Sequence, residues 1–199
     1  MTFQFKIQIK NITHPPVWRR ISVPSNFTFD DFHYIIQISF GWHNSHLYEF
    51  SPKGFGSWPQ IKTKFEEDFD FGFNYGEVIE PHEIKLSDIF KNVGQKFTYI
   101  YDFGDSWEHV ITLEKILSDN MLYPKIITGK SQCPPEDCGG PLGYMQMKEI
   151  LEDPSDPEYE DYAEWLGLEE NENWDPKYYD LEQHQKLLTE FFTKHNKSK

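Results

Sequence analysis

Between Tyr99 and Glu114 the chain reads YIYDFGDSWEHVITLE, with apolar and aromatic positions alternating with polar ones on either side of a Gly104-Asp105 pair. Period-two alternation marks a half-buried strand, and a two-residue turn led by glycine suits type II′. The stretch therefore predicts a β-hairpin in which Asp102 faces Trp107, Tyr101 faces Glu108 and Ile100 faces His109. That register sets Asp102, Trp107 and His109 on one face. Asp102, Asp105, Glu108 and His109 fall within eight residues of one another in this apolar setting. Buried charge without a partner is costly, so these groups either hold the fold together or do chemistry.

The same alternation appears at Phe3, Phe5, Ile7 and Ile9, a strand with one wet face, and again from Val17 to Val23, stopped by Pro24. Thr28 to Phe40 predicts a helix: Thr28 with Asp31 resembles a capping box, Gly41 stops it, and Phe32, Ile35, Ile36, Ser39 and Phe40 form an apolar stripe. Trp42 to Phe50 leads into a third strand. Residues 53–80, with Glu66 to Asp68 and the alternating Phe69, Phe71, Phe73 and Tyr75, read either as an edge strand or as a flap. Leu86 to Phe90 reads as one helical turn capped by Ser87, and Tyr123 to Thr128 as a short strand. Three helices are expected over Tyr144–Leu151, Pro157–Leu166 and Asp180–His195. In the last of them Leu181, Leu187, Leu188, Phe191 and Phe192 form the buried stripe, with His184 near it.

This order predicts an α+β fold, a mostly antiparallel curled sheet packed on one main helix, of which the β-grasp-like roll is one form, followed by a helical acidic segment. The expected organisation is a single domain over 1–199, with a sheet-plus-helix core at 1–130 and a shaped loop and helices at 131–199. A chain of 199 residues needs no staples. Its 17 Phe, 11 Tyr and 6 Trp supply an aromatic core.

Charge narrows the partners. The net charge is −14, and residues 149–182 carry fourteen acids against Lys177 alone. Such a chain repels phosphate backbones, so duplex DNA is disfavoured; contact through the lysines of the Phe3 to Lys10 strand is the weakest of the readings considered. No apolar run reaches the length of a membrane span, and two cysteines are too few for a secreted disulfide scaffold, which places the protein in the cytoplasm. Arg19 and Arg20 are the only arginines beside seventeen lysines. Adjacent strand residues point to opposite faces, so one guanidinium is expected inside, gripping a carboxylate of the hairpin, and the other outside.

Cys133 and Cys138, separated by four residues in SQCPPEDCGGPLGY, read as a tight loop; zinc there needs two histidines such as His46 and His109. No cofactor is assigned. PVWRRISVP at 16–24, FGWHNSHLYEF at 40–50, YDFGDSWEH at 101–109, CPPEDCGGPLGY at 133–144 and WDPKYYDL at 174–181 together resemble the plasmid pRiA4b ORF-3-like family. The resemblance implies an intracellular α+β domain met on plasmids and, as a TnpR-type passenger, in a mobile insertion element. It implies no reaction, and it assigns no role to Asp156 or His184, where relatives often carry His and Asn.

Two functions are weighed. The leading one is a non-catalytic binding or accessory domain whose cleft is lined by Arg19, Trp42, His46, Tyr101, Asp102, Trp107 and His109, taking a small ligand or a protein. The other is a metal-assisted hydrolase in which Asp102, Asp105, His109 and His46 hold a divalent ion, with Glu108 as base.

Overall fold

The computed structural model describes residues 1–64, 76–169 and 172–195. Glu66 to Asp68 and the run Phe69, Phe71, Phe73 and Tyr75 lie outside the described residues. The elements run β1 (Thr2–Thr13), β2 (Pro16–Pro24), α1 (Phe29–Phe40), β3 (Tyr48–Ser51), β4 (Gln60–Ile61), β5 (Val78–Ile79), α2 (Leu86–Ile89), β6 (Lys96–Tyr101), β7 (Trp107–Leu117), β8 (Lys125–Lys130), α3 (Gly140–Glu152), α4 (Tyr159–Trp165) and α5 (Leu181–His195). The protein is α+β, with one open sheet ordered β5-β4-β3-β6-β7-β1-β2-β8. Its pairings are antiparallel except that of β4 with β5.

The strands form where apolar residues alternate, and the alternation decides what they bury. Phe3, Phe5, Ile7 and Ile9 of β1 all point into the core, as do Val17, Arg19, Ile21 and Val23 of β2. Helix α1 lies across this face. Its capping box is complete, since Asp31 N–H donates to Thr28 Oγ1 while Thr28 N–H donates to Asp31, and Gly41 ends it at φ 91°. Its stripe meets the sheet ring to ring: Phe32 stands 4.9 Å from Phe5, and Phe29 stands 5.0 Å from Phe50. Helix α5 then packs on α1 and β8, with Leu188 and Phe192 buried; Leu187, expected inside, is exposed. Lys85 rather than Ser87 caps α2, its N–H donating to Asp88 at 2.9 Å.

The central hairpin forms, in a different register from the one its turn sequence suggests. Tyr101 pairs with Trp107, Ile100 with Glu108 and Tyr99 with His109. Residues 102–106 make a wider loop in place of a two-residue turn. Asp102 takes a left-handed φ of 56°, which Asp tolerates, and its carboxylate accepts Gly104 N–H at 2.9 Å while its carbonyl accepts Ser106 N–H at 2.6 Å. The slip carries Asp102 out of the ladder and into the bend. Trp107 and His109 still share a face, and that face is core.

Strand alternation divides the two arginines as expected, but the partners are exchanged. Arg20 lies on the outer face and holds Glu114 of the hairpin with two bonds, from Nε at 2.6 Å and from Nη2 at 2.9 Å. Arg19 is fully buried and donates to three carbonyls: Nε to Ser39 O at 2.8 Å, and Nη1 to Trp18 O at 2.9 Å and Lys130 O at 3.0 Å.

Candidate functional site

At one end of the sheet the segment after α1 meets the cysteine loop. Trp42 Nε1 donates to Pro134 O at 2.9 Å, and the backbone N–H of His43 donates to Glu136 Oε1 at 2.7 Å. Tyr101, at the end of β6, donates its hydroxyl to the same oxygen at 2.7 Å and accepts Ser45 N–H at 2.9 Å. The hairpin bend completes the staple. Asp105 accepts Gly139 N–H at 3.2 Å, and its carbonyl lies so near Gly140 that a Cβ there would stand 2.6 Å away. Glycine at 140, with φ 68°, is thus required both by conformation and by space.

The fifth of the conspicuous stretches, 174–181, returns from the far end of the chain and lays the ring of Tyr179 over Arg19, 3.6 Å from the guanidinium carbon. Phe40 stands 4.8 Å from it. Four of the five stretches therefore line one cleft of about 360 Å³, walled by Phe40, Trp42, the Cys133 loop, Tyr179 and His184, with Arg19 at its base, and the remaining one, 101–109, braces the cysteine loop through Tyr101 and Asp105. Its volume lies in the range of small-molecule sites. A hollow of about 650 Å³ beside α4 is larger, but Glu160, Glu164, Glu169 and Glu172 line it and no buried cation reaches it. The smaller cleft is the candidate site because its walls are aromatic and its base is charged.

The electrostatics follow from burial. Burial drags the Arg19 guanidinium below its ordinary pKa, opposed by Tyr179, Cys133 and Tyr144. The Cys133 thiol is pushed well up by burial despite Arg19, and Cys138 is pushed up to about 12 for the same first reason, so both are protonated thiols at neutral pH. Both cysteines are free. Nη2 of Arg19 has no hydrogen-bond partner among the described residues.

Of the residues singled out from sequence, Arg19 and Trp42 line the cleft, and Tyr101 supports it through Glu136. Trp107 and His109 lie beneath it, their rings 6.1 and 5.2 Å from that of Trp42. His109 is fully buried, its Nδ1 bonded to Trp107 O at 2.9 Å, and burial lowers its pKa to about 3. The four hairpin groups do not assemble: Asp105 holds the cysteine loop, and Glu108 turns to the opposite face and pairs with Lys10 at 2.7 Å. Nor do Cys133, Cys138, His46 and His109 gather as metal ligands. Among the described residues the one group with donor atoms close enough for an ion, all within 4.8 Å, is His46, Asp102 and Asp137. Nε2 of His46 is enclosed there, 3.2 Å from Asp137 and 3.7 Å from Asp102, without hydrogen-bond alignment to either.

Tyr179, Glu136 and Asp137 were not singled out, and His184, noted beside the last helix's stripe and given no role, lines the cleft. The first three lie inside stretches already conspicuous for composition, where the signal was present but the pairing was not.

An open mixed sheet carrying one main helix, with a cleft where the helix end, the cysteine loop and the C-terminal segment meet, defines a small-domain α+β protein with a single-ended site. The chain belongs to the plasmid pRiA4b ORF-3-like family, whose model matches residues 1–183. It is 34% identical over 168 residues to the uncharacterized protein y4hQ of Sinorhizobium fredii (strain NBRC 101917 / NGR234), a match covering 82% of this chain and 80% of that one. It is similar in fold to the crystal structure of the protein of unknown function MM3350 from Methanosarcina mazei Go1, at 37% identity and a TM-score of 0.75, covering 91% of this chain and 96% of that one. Among the described residues no helix is long and apolar enough to cross a membrane.

Proposed function

We propose that the protein is a non-catalytic binding domain whose ligand enters the cleft between the end of α1, the cysteine loop and the start of α5. The observation that carries this reading is that four of the five conspicuous stretches line that one space and the remaining one braces it, with aromatic walls and a buried guanidinium behind them. The loops are braced by hydrogen bonds from Trp42, His43, Tyr101 and Gly139, so the walls are held before a ligand arrives, which limits the ordering that binding must impose. The protonated thiol of Cys133 fits a lining role better than a nucleophilic one, and two free cysteines accord with a cytoplasmic setting.

The test is a fragment screen by solution NMR with the indole N–H of Trp42 as reporter. Bound fragments are expected to shift that resonance together with those of Gly41 and His184. Binding that leaves these unmoved, or no binding at all, removes the reading.

A second reading keeps the divalent ion but changes its ligands. His46, Asp102 and Asp137 converge as an imidazole and two carboxylates, a set that suits a borderline or hard divalent cation. An ion there could activate water for hydrolysis. Manganese titration followed by NMR should broaden resonances near His46 in the parent and not in Asp137→Asn. Broadening spread over the acidic surface instead, or unchanged in the variant, rejects this second reading.

A further inference from the structure

The donor inventory of Arg19 leaves one edge unused. A guanidinium carries five N–H groups. The one on Nε goes to Ser39 O, and Nη1 serves Trp18 O and Lys130 O. Nη2 has no partner, and among the described residues no carboxylate lies within ion-pair distance of this cation. A fully buried guanidinium without a counter-charge is expensive to keep, and an apolar side chain of similar size would be cheaper. The thiol of Cys133 beside it does not supply the missing charge, since burial keeps it protonated. With Tyr179 and Phe40 packed on the guanidinium, the unpartnered Nη2 edge is enclosed, and an acceptor of carboxylate dimensions would reach it from the cleft that Arg19 lines.

We propose that the ligand of this cleft is a small organic monocarboxylate with a planar apolar body, its carboxylate held by Nη2 of Arg19 and its body lying among Phe40, Trp42 and Tyr179. The proposal rests on the cleft being the binding site. The rim supplies the restriction to one negative charge. Glu136 and Asp180 both line the cleft, and both are already engaged, Glu136 by His43 N–H and the Tyr101 hydroxyl, and Asp180 by Gln183 N–H and the Tyr178 hydroxyl. Two carboxylates in the lining repel a phosphate or a dicarboxylate more strongly than a monoanion. The aromatic walls favour a flat apolar body over a sugar or a peptide backbone.

Calorimetry with phenylacetate, 2-phenylacetamide and inorganic phosphate tests this on the full chain. Phenylacetate is expected to bind about tenfold more tightly than the amide, which corresponds to roughly 1.4 kcal/mol, and phosphate more weakly than either. Gln183 is exposed on the first turn of α5 and lines the cleft, so Gln183→Lys and Gln183→Glu should both fold. The first should tighten phenylacetate binding and the second weaken it, each several-fold, with the amide unaffected. Arg19→Gln, where it folds, should bind acid and amide alike; where it does not fold, the Gln183 pair decides.

Equal binding of acid and amide at the Trp42 reporter would overturn the monocarboxylate and leave the cleft as a binding site. Acid binding that maps away from Trp42 would overturn both. Acid binding indifferent to the charge at 183, or no phenylacetate binding in the millimolar range, counts against the proposal as well.

Discussion

The ring of Tyr179 lies 3.6 Å from the guanidinium carbon of Arg19, which joins the second strand to a residue 160 positions later. The hydroxyl of Tyr179 donates to Ser39 O at 3.2 Å, the same carbonyl that accepts Nε of Arg19. Strand, helix end and C-terminal segment are therefore tied at a single carbonyl.

Replacing each arginine separately by lysine should give very different losses. Arg19→Lys removes the planar fork that reaches three carbonyls and flattens against Tyr179, leaving buried acceptors unpaired, and should cost on the order of 2–4 kcal/mol. Arg20→Lys, on the wet face with Glu114, should cost under about 1 kcal/mol. Denaturant unfolding of the two variants beside the parent measures this, and equal losses would remove the distinction between the sites.

Stability should fall on mild acidification. Burial lowers the pKa of His33 to about 4 and of His109 to about 3, against about 6.5 for a free imidazole. The unfolded chain then binds more protons than the folded one between those values, so stability is complete above pH 6.5 and is lost as pH falls towards 4 and 3. Each unit by which a histidine is displaced contributes on the order of 1.4 kcal/mol. Unfolding free energies at pH 7 and pH 5 should differ, and His33→Gln should shrink the difference; an unchanged slope in that variant would contradict the assignment.

The cysteines should resist alkylation. Both are buried, and burial raises both pKa values, so little thiolate exists at pH 7.5. Maleimide labelling should be slow in the native protein and complete within minutes once it is denatured. Rapid native labelling of either thiol would show that the 131–139 loop opens.

Gly140→Ala should destabilise the protein by about 1–3 kcal/mol. The new Cβ would meet the carbonyl of Asp105 at 2.6 Å with φ at 68°. The same change should loosen the cysteine loop from the hairpin, seen as faster exchange of the Gly139 N–H. A neutral effect on both would show that the two loops do not depend on each other.

What sequence made legible here was local. The capping box at Thr28, the stop at Gly41 and the opposite fates of Arg19 and Arg20 depend on neighbours a few residues away, and each appears as expected. The hairpin register depended on the backbone of Asp102, where a left-handed residue and a carboxylate-to-Gly104 bond outweigh the turn preference of Gly104-Asp105. The carboxylate for the buried arginine was misplaced because Glu114 projects from the outer face of β7, where it meets Arg20 across Gln4 of β1. The cleft itself needed Tyr179, whose contact with Arg19 no periodicity can announce.

That long return of the chain also sets a timetable. Arg19, Trp42, the 131–139 loop and Tyr179 leave the ribosome in that order, and until the last of them emerges the guanidinium has neither its stacking ring nor a finished cleft around it. A nascent chain stopped short of residue 179 lacks the ring that covers Arg19 and part of the cleft's wall, so whatever occupies the cleft can select only molecules whose synthesis has run past that point.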